Sequence, residues 1–569
     1  MHLISTELVT ASQKILQKKY GFAKESVIWQ RPESREHGDV STTVALRIAQ
    51  KAKVSPQEVA GILKDELSKL SIIERIDVVG AGYVNVWFTP EALLAQLAQT
   101  REACTARVKR KKEAPVIVEY SQPNIAKPLG IHHIMSTVIG QTIANLYEHL
   151  GHNTIRVNHI GDWGTQFGKL AVAVERWGTK PVKECSIDEL LALYVKFHEE
   201  AEKDPSLEDA GRESFCKLEQ GDRALREFWQ EVVTITMKAM DHLYERLHVH
   251  IEHPHGESMY EEMMTPILEE GLKKEVFRKG EKGAIVVEFP SDMNLPTAVV
   301  QKADSATIYM TRDFAQIQYR INRWHPQAIY YVVDVAQSLH FQQLFATVKL
   351  LQWDLPHLEH LVIGRMRFKD RKMSTRKGNI LKLEEVLDEA VERAKVVIEE
   401  HKGKIQTDDI NGLAEMMGVG AVVYGVLSQN RKMDMVFDWE KMLSFDGNSA
   451  PYLQYTHARA RSVLRKADIA DSEGFPKGIL SLNQTERSLI GTLLQFSEVL
   501  EEARATHMPH KVAQYLFTLC QDFNAFYNSE SILQAQEPLR SLRLALTAST
   551  ASVLKTGAEL LTLRVPDRM

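Results

Sequence analysis

The most informative pattern along the chain is an apolar run followed by a polar loop and an amphipathic helix. Residues 116–118, Val-Ile-Val, form the apolar run and predict a buried strand. The loop over 119–133 is polar, contains proline and glycine, and ends in His132 and His133. Apolar residues then recur at helical spacing, at Ile134, Val138, Ile139, Ile143, Leu146, Tyr147 and Leu150. Free backbone N–H groups at this helix start predict a phosphate site at the two histidines.

The same kind of pattern divides the whole chain into three regions. The first predicts a small α/β unit, with helices over 1–22 and 55–70 and strands at 76–79 and 83–88. From 114, apolar runs alternate with helices, which is typical of a parallel sheet, and the candidate strands are 115–120, 154–158, 328–334 and 360–364. A helical, acidic stretch over about 180–275 separates the halves of this sheet. From about 384 the pattern is nearly all helical.

Composition indicates a multidomain soluble protein. Of 569 residues, 44% are hydrophobic and 25% are charged, as in ordinary soluble chains. No apolar run approaches the ~18 residues of a membrane span, so we expect no membrane partner. The four cysteines are far apart and predict neither a zinc motif nor a disulfide framework. We therefore expect a reducing cytoplasm and no zinc.

The net charge of −5 is unevenly distributed along the chain. Residues 1–113 carry 18 Lys and Arg against 13 Asp and Glu, and residues 445–569 carry 13 of each, which leaves 114–444 at −10. The outer segments are therefore better placed than the centre to meet a polyanion, although ordinary solvated surfaces would look the same. The basic stretch 107–113 is either a plain linker or a linker that contacts phosphates.

A second segment, Lys-Met-Ser-Thr-Arg-Lys-Gly-Asn at 372–379, indicates which phosphate ligand the histidine loop at 119–133 could bind. The two segments together resemble the ATP-binding signatures of class I aminoacyl-tRNA synthetases. The wording Ser-Gln-Pro-Asn-Ile-Ala-Lys-Pro at 121–128 narrows the resemblance to arginyl-tRNA synthetase. Further similar segments follow in the expected order, at 157–168, 309–313, 447–455 and 565–569. The resemblance covers essentially the whole chain.

The resemblance implies an α/β multidomain fold with a Rossmann-like class I synthetase catalytic domain. It implies four parts: an N-terminal additional tRNA-binding domain, a catalytic domain with a connective insertion, a helical linking region and a helical anticodon-binding domain. Their expected bounds are 1–106, 114–383 with the insertion at about 180–275, 384–444, and 445–569. Ligands in such sheets bind beyond the carboxyl ends of the strands.

The function that this resemblance implies is ligation of L-arginine to its cognate tRNA. The arginine carboxylate attacks the α-phosphate of ATP, and the arginyl group then moves to the terminal adenosine of the tRNA. Such a step needs alignment and charge stabilisation, so donor groups should surround the phosphates, with Mg²⁺ entering on ATP. The resemblance also implies that activation requires bound tRNA. We expect a monomer.

The phosphate-binding residues follow from the two signatures. His132, His133 and Gly130 would contact ATP, and Lys372 begins the second signature. Class I signatures have a second lysine where this chain has Thr375, and the resemblance implies that Lys127 supplies the missing charge. Met373, Ser374 and Lys377 complete the expected ATP site. The family usually has His-x-Gly-His where this chain has Gly130-Ile131-His132-His133, so one histidine and the glycine have exchanged places. The exchange is either absorbed by a small shift of the loop or costs activity.

A guanidinium substrate calls for carboxylates, because its planar fork pairs with them bidentately. Tyr309 and Asp313 are one helical turn apart, so both could face one pocket if a helix begins there. The resemblance implies that Asn124, Tyr309 and Asp313 contact arginine, with Glu119 and Gln337 as further candidates. Asp162 could hold the substrate ammonium or the ribose. The structural alternatives are an N-cap for Asp313, core packing for Tyr309 and a turn aspartate for Asp162.

The candidate tRNA surface lies on one C-terminal helix. Its residues are Tyr455, His457, Arg459, Arg461 and Arg465. Interleaved aromatic and arginine side chains suit unstacked bases, whereas the alternative is a solvated face of long arginines. Two other functions are open at this point: a non-catalytic tRNA-binding relative, and a nucleotidyltransferase that uses the same fold on another substrate.

Overall fold

The computed structural model describes residues 2–21, 27–32, 34–105, 112–280, 283–302, 309–368, 381–401, 405, 407–445, 447–469 and 474–569. The N-terminal unit contains α1 (His2–Tyr20), β1 (Val40–Thr42), α2 (Val44–Ala52), α3 (Pro56–Leu67), β2 (Ile73–Val79), β3 (Tyr83–Phe88) and α4 (Pro90–Thr105). Its strands form an antiparallel sheet in the order β1-β3-β2. Both predicted strands and both predicted helices of this region are confirmed.

The central region alternates strands with helices. In chain order it contains β4 (Val116–Glu119), α5 (His133–His149), β5 (Thr154–Ile160), α6 (Thr165–Trp177), α7 (Ile187–Ala201), α8 (Ser206–Glu219), α9 (Arg223–Arg246), β6 (His253–Gly256), α10 (Glu261–Lys273), β7 (Phe277–Lys279), β8 (Ile285–Val287), β9 (Ala298–Gln301), α11 (Tyr309–Trp324), β10 (Ala328–Asp334), α12 (Ser338–Leu350), β11 (His357–Ile363) and β12 (Met366–Phe368). The main sheet is parallel, in the order β11-β10-β4-β5-β6. The four predicted strands of this sheet are confirmed.

The C-terminal region is mainly helical. It contains α13 (Leu383–Glu400), α14 (Ile410–Leu427), β13 (Met435–Phe437), α15 (Trp439–Met442), α16 (Ala450–Ala467), α17 (Gln484–Leu493), α18 (Phe496–Thr506), α19 (His510–Ser529) and α20 (Leu539–Leu560). In the described residues, α14 is the one helix long and apolar enough to span a membrane by length and composition. Of its 18 residues, 67% are buried inside the protein, and it packs against α5, α13 and α16.

One sequence expectation about secondary structure is wrong, and a second, the nearly all-helical region from about 384, is confirmed apart from one short strand. The stretch over about 180–275 is not helical throughout, because β6 within it pairs parallel to β5 at the edge of the main sheet. Its sequence, His-Pro-His-Gly, has no apolar run, and an edge strand tolerates a proline that cannot donate to a neighbour. The helical region also includes β13, which pairs with β12. The domain bounds themselves stay a prediction.

The main sheet places the site by its topology. The chain leaves β4 through α5 to reach β5 on one side, whereas β10 lies on the other side of β4. The carboxyl ends of β4 and β10 therefore flank a topological switch point, where open α/β sheets bind ligands. Helix α5 packs closely there, because a Cβ on Gly140 would lie 2.2 Å from the Cβ of Tyr120.

A polar joint links the N-terminal unit to the C-terminal helices. Arg487 of α17 donates to Asp39 at 2.7 Å and to the Phe88 carbonyl at 3.0 Å, and it also pairs with Glu74. Burial raises the pKa of Asp39, and the Arg487 guanidinium opposes that shift. Arg31 donates to the Gly491 carbonyl at 2.9 Å beside this joint. The unit is thus held against the helical region by charged groups that have lost much of their contact with water.

Candidate active site

A cleft of about 770 Å³ opens beyond the carboxyl ends of β4, β10 and β11. Seven residues predicted from the sequence line it: Glu119, Asn124, His132, His133, Tyr309, Asp313 and Gln337. Residues that the sequence did not single out also line it, among them His159, Glu257, Asp334, His340 and Arg365. The structure therefore brings the proposed phosphate-binding and arginine-binding groups together at the switch point of the sheet.

The two histidines line the cleft side by side at the start of α5. His133 is the first residue of α5 and His132 precedes it, and the two ring centroids lie 4.0 Å apart. Burial lowers the pKa of His133 to about 4, assisted by the neighbouring His132 ring. Loss of water contact also lowers the pKa of His132, although the Asp334 carboxylate opposes that shift. Both imidazoles are therefore neutral near pH 7 and can serve as N–H donors rather than as cations.

His133 is fixed by the loop that precedes it. Its Nδ1 lies 3.0 Å from the Gly130 nitrogen and 3.1 Å from the Gly130 carbonyl oxygen. In the tautomer in which Nδ1 accepts from Gly130, Nε2 carries the ring proton and is available to a ligand. The same loop is tied to the start of α13, because Ile131 donates to the Leu381 carbonyl at 2.9 Å and Leu383 donates to the Leu129 carbonyl at 2.8 Å.

The backbone after β4 adopts an uncommon conformation. Ser121 and Gln122 have φ values of 79° and 54°, in the left-handed region of backbone conformation that residues other than glycine rarely adopt. Polar contacts hold this turn: Gln122 N donates to Asn158 at 2.9 Å and Gln122 Nε2 donates to Glu119 at 2.7 Å. Backbone strain of this kind is typical of functional sites, where surrounding contacts maintain it.

Three carboxylates of the cleft each have a basic partner. The pairs are Glu119 with Arg320, Glu257 with Arg312, and Asp313 with His340. Arg312 donates to Glu257 at 3.1 Å, whereas His340 Nε2 lies 2.6 Å from Asp313 Oδ2. Burial raises the pKa of Glu257 to about 7, with Arg312 opposing the shift. Sequence reasoning missed all three partners and Glu257, because these pairings join separate elements and no motif marks them.

Helix α11 decides between the two interpretations of Tyr309 and Asp313. The described part of the helix starts at Tyr309, so Asp313 lies at least one turn inside the helix and is not its N-cap. Tyr309 is 66% exposed, which excludes core packing. Both residues line the cleft, as one helical turn between them predicts.

Three predicted residues of the described chain, Asp162, Lys127 and Gly130, do not line the cleft, and Gly130 instead contacts the His133 ring with its backbone. The Asp162 carboxylate is buried and accepts from Ser258 N at 2.9 Å and from Ser258 Oγ at 2.6 Å, so it acts as a structural aspartate here. Lys127 Nζ lies 5.3 Å from the ring centroid of Tyr194 on α7, turned toward the inserted helices. The Asp162 carboxylate is thus engaged by Ser258 and the Lys127 ammonium lies beside Tyr194, and the roles of both toward substrate stay predictions.

The second signature lies outside the described residues. Lys372, Met373, Ser374 and Lys377 all belong to the segment 369–380. The described residues on either side of it are close to the cleft: Met366 lines it, and Leu381 contacts the histidine loop through its carbonyl.

Comparison with known proteins accounts for the whole chain. Residues 93–439 match the family described as "tRNA synthetases class I (R), catalytic domain", 3–88 match "Arginyl tRNA synthetase N terminal domain", and 453–569 match "DALR anticodon binding domain". An arginine–tRNA ligase of Fusobacterium nucleatum is 39% identical over 90% of each chain, and one of Clostridioides difficile is 36% identical over 99% of each.

The chain belongs to the arginyl-tRNA synthetase family.

Solved structures agree with this assignment. Arginyl-tRNA synthetases of Plasmodium falciparum and Thermus thermophilus match with TM-scores of 0.81 and 0.79, at 25% identity and full coverage of both chains. The predicted fold class, a Rossmann-like α/β synthetase with a helical C-terminal region, is confirmed. Within the described residues, no group of three or more His, Cys, Asp or Glu side chains is placed to hold a metal ion.

The candidate tRNA surface predicted on one C-terminal helix lies at a second cleft, of about 600 Å³, between α16 and α19. Ser449 caps α16 by accepting from Tyr452 N at 3.3 Å. Arg459 lies between two aromatic rings, 4.7 Å from the Tyr455 centroid and 5.0 Å from that of Tyr527. Tyr455, Arg459 and the C-terminal Met569 line the cleft together.

Three other residues of this helix make contacts with the chain terminus. Arg465 donates to the Asp567 carbonyl at 2.6 Å, and Arg461 Nε lies 3.3 Å from the Asp567 carboxylate. His457 is buried, and its Nδ1 lies 2.9 Å from the Pro566 carbonyl oxygen. The expectation that His457 belongs to the tRNA surface is wrong, because it faces inward and holds the C-terminal segment.

Proposed function

We propose that the cleft activates L-arginine with ATP and that the enzyme transfers the arginyl group to the 3′-terminal adenosine of its cognate tRNA. Relatives of the same family with 36–39% identity bear the name arginine–tRNA ligase. The observation that carries the proposal is one cleft in which neutral N–H donors at a helix start lie beside carboxylates. Those two groups match the two substrates, a polyphosphate and a guanidinium.

The first step is attack of the arginine carboxylate on the α-phosphorus of ATP, with pyrophosphate leaving. Negative charge grows on the phosphate oxygens, and we assign the ring N–H groups of His132 and His133, at the start of α5, as the donors that stabilise it. Mg²⁺ enters as part of the ATP substrate. Gly130, Lys127 and the second-signature residues Lys372, Met373, Ser374 and Lys377 complete the proposed ATP site.

Recognition of arginine divides between its two ends. We assign the guanidinium to Asp313 and Tyr309, which share one face of α11 at the wall of the cleft. Glu119, Asn124 and Gln337 are assigned to the α-ammonium and carboxylate end, since they line the cleft near the carboxyl ends of β4 and β10. Asp162 then supports the site from outside, through Ser258.

The tRNA is proposed to contact the aromatic and arginine cleft of α16, through Tyr455, Arg459, Arg461 and Arg465. Stacking of bases on Tyr455 and pairing of arginines with phosphates would be the physical basis. The N-terminal unit and the inserted helices would add further contacts within the predicted domain bounds. We propose that the enzyme acts as a monomer in the cytoplasm.

The test is arginine-dependent ATP–pyrophosphate exchange, measured with and without cognate tRNA, followed by charging of that tRNA. Exchange that needs both arginine and tRNA supports the proposal. No exchange in either condition, with tRNA binding intact, would support a non-catalytic relative instead, a function that no observation of this chain favours. Asp313→Asn should raise the KM for arginine, whereas Asp209→Asn, on an exposed turn of α8, should leave it unchanged.

A further inference from the structure

The three carboxylate pairs of the cleft differ in how much charge they leave for a ligand. In two pairs the partner is an arginine, and all four side chains are nearly inaccessible: Arg320 and Glu119 are 0% and 4% exposed, and Arg312 and Glu257 are 11% and 5% exposed. A guanidinium keeps its positive charge at any ordinary pH. Neither carboxylate therefore offers free negative charge to the cleft: Glu119 is paired with Arg320, and Glu257 is paired with Arg312 and has a pKa raised to about 7 by burial.

The third pair is more open, and its partner is a histidine. Asp313 and His340 are 18% and 25% exposed, and their contact joins His340 Nε2 to Asp313 Oδ2 at 2.6 Å. His340 belongs to the first turn of α12, whereas Asp313 belongs to α11, so the contact fixes one helix relative to the other. A neutral imidazole can donate this hydrogen bond without cancelling the carboxylate charge.

We propose that His340 is a positioning residue for the substrate guanidinium: its Nε2, 2.6 Å from Asp313 Oδ2, holds the Asp313 carboxylate in one orientation without placing a permanent positive charge beside it. This inference rests on the proposed arginine activation and identifies the residue that makes Asp313 specific for a planar cation. With Oδ2 held by His340, Asp313 turns a defined edge toward the cleft, and a guanidinium can meet that edge with paired N–H groups. A fixed positive charge at the same position would instead neutralise Asp313, as Arg312 neutralises Glu257.

Three substitutions separate hydrogen bonding, charge and folding. Gln at 340 can still donate an amide N–H to Asp313, Leu cannot donate, and Lys donates but adds a permanent charge. Loss of a hydrogen bond to a charged group corresponds to about 10- to 150-fold in affinity. We therefore expect His340→Leu to raise the KM for arginine by that factor, His340→Gln to stay within about threefold of the parent enzyme, and His340→Lys to exceed the effect of Leu. The KM for ATP should be unchanged in all three.

The measurement is steady-state charging of cognate tRNA by the full-length chain, with arginine and ATP varied separately and thermal unfolding recorded for each variant. His357→Leu is the matched control, because His357 also contacts a carboxylate, Glu359 at 3.2 Å, but at the start of β11, away from the cleft. Equal KM values for arginine in the parent and in His340→Leu would overturn the inference. So would a Gln variant as impaired as Leu, or a parallel rise in the KM for ATP. A parent enzyme that does not charge tRNA with arginine would instead refute the proposed function itself.

Discussion

Replacing His132 by alanine tests whether the histidine loop still performs the phosphate chemistry. His132 lines the cleft immediately before α5, and its ring centroid lies 4.0 Å from that of His133. Its lowered pKa makes it a neutral donor near pH 7, so the substitution removes one N–H group that faces the phosphates. A hydrogen bond to a charged group contributes about 1.5–3 kcal/mol, which corresponds to roughly 10- to 150-fold in rate.

The assay is ATP–pyrophosphate exchange with saturating tRNA. We expect His132→Ala to lower kcat by that factor while the KM for arginine changes little, because the ring faces the phosphates and not the guanidinium site. The control is His242→Ala, an exposed histidine on α9. A His132→Ala enzyme that exchanges at the parent rate would refute the assignment of this loop to phosphate binding.

The pH profile tests the charge state of the same histidines. A neutral donor keeps its N–H group as pH rises, so exchange should not fall between pH 7 and pH 8.5 on account of His132 or His133. A rate that declined through an apparent pKa near 6.5, and that lost this decline in His132→Ala, would show that a protonated imidazole is required. The reasoning from the lowered pKa values would then be wrong.

Three further substitutions test the packing and charge around the site. Burial raises the pKa of Glu257 to about 7 from an ordinary 4.5, so ionisation of this carboxyl lowers the stability of the folded parent as pH rises from 4.5 to 8. Glu257→Gln removes this loss, so its free energy of unfolding in urea should rise by about 3 kcal/mol relative to the parent over that range, and parallel pH curves for the two proteins would contradict this. Arg487→Met strands the carboxylate of Asp39 at the joint between regions and should lower the free energy of unfolding by about 3 kcal/mol; a loss below about 1 kcal/mol would show that the joint contributes little. Gly140→Ala overpacks the contact between α5 and the end of β4 and should cost about 1–3 kcal/mol, whereas Gly61→Ala, with open space at its Cβ, should stabilise the protein slightly.

The parts of the fold that the sequence predicts are those in which one local pattern decides the structure. Strand β4 and helix α5 follow from an apolar run and from helical spacing, and both lie where expected. Strand β6 has neither signal, because its pairing with β5 is made by backbone groups while its side chains are mostly polar. Short edge strands of this type are specified by the sheet beside them, which no local window of sequence contains.

The same distinction applies to the site. Asp313 and Tyr309 follow from helical spacing, and His132 and His133 follow from their place at a helix start. Their partners do not: Glu257 and Arg312 are 55 residues apart in sequence, and His340 reaches Asp313 from another helix. These contacts exist only once the helices have packed, so the sequence indicates the groups proposed to bind the substrate but not the partners that contact them.

This division also explains how the exchanged histidine and glycine can be accommodated. The turn that opens α5 is held by backbone hydrogen bonds, from His133 N to the Gly130 carbonyl and from Ile134 N to the Ile131 carbonyl, which do not depend on the order of side chains in the loop. The loop keeps its position through backbone bonds of Ile131 and Leu383 to the chain across from it, and these too are independent of that order. The exchange therefore changes which histidine ring lies beside the start of α5, while the backbone at that start stays in place. Its cost should accordingly be confined to one side-chain hydrogen bond, which is the quantity that His132→Ala measures.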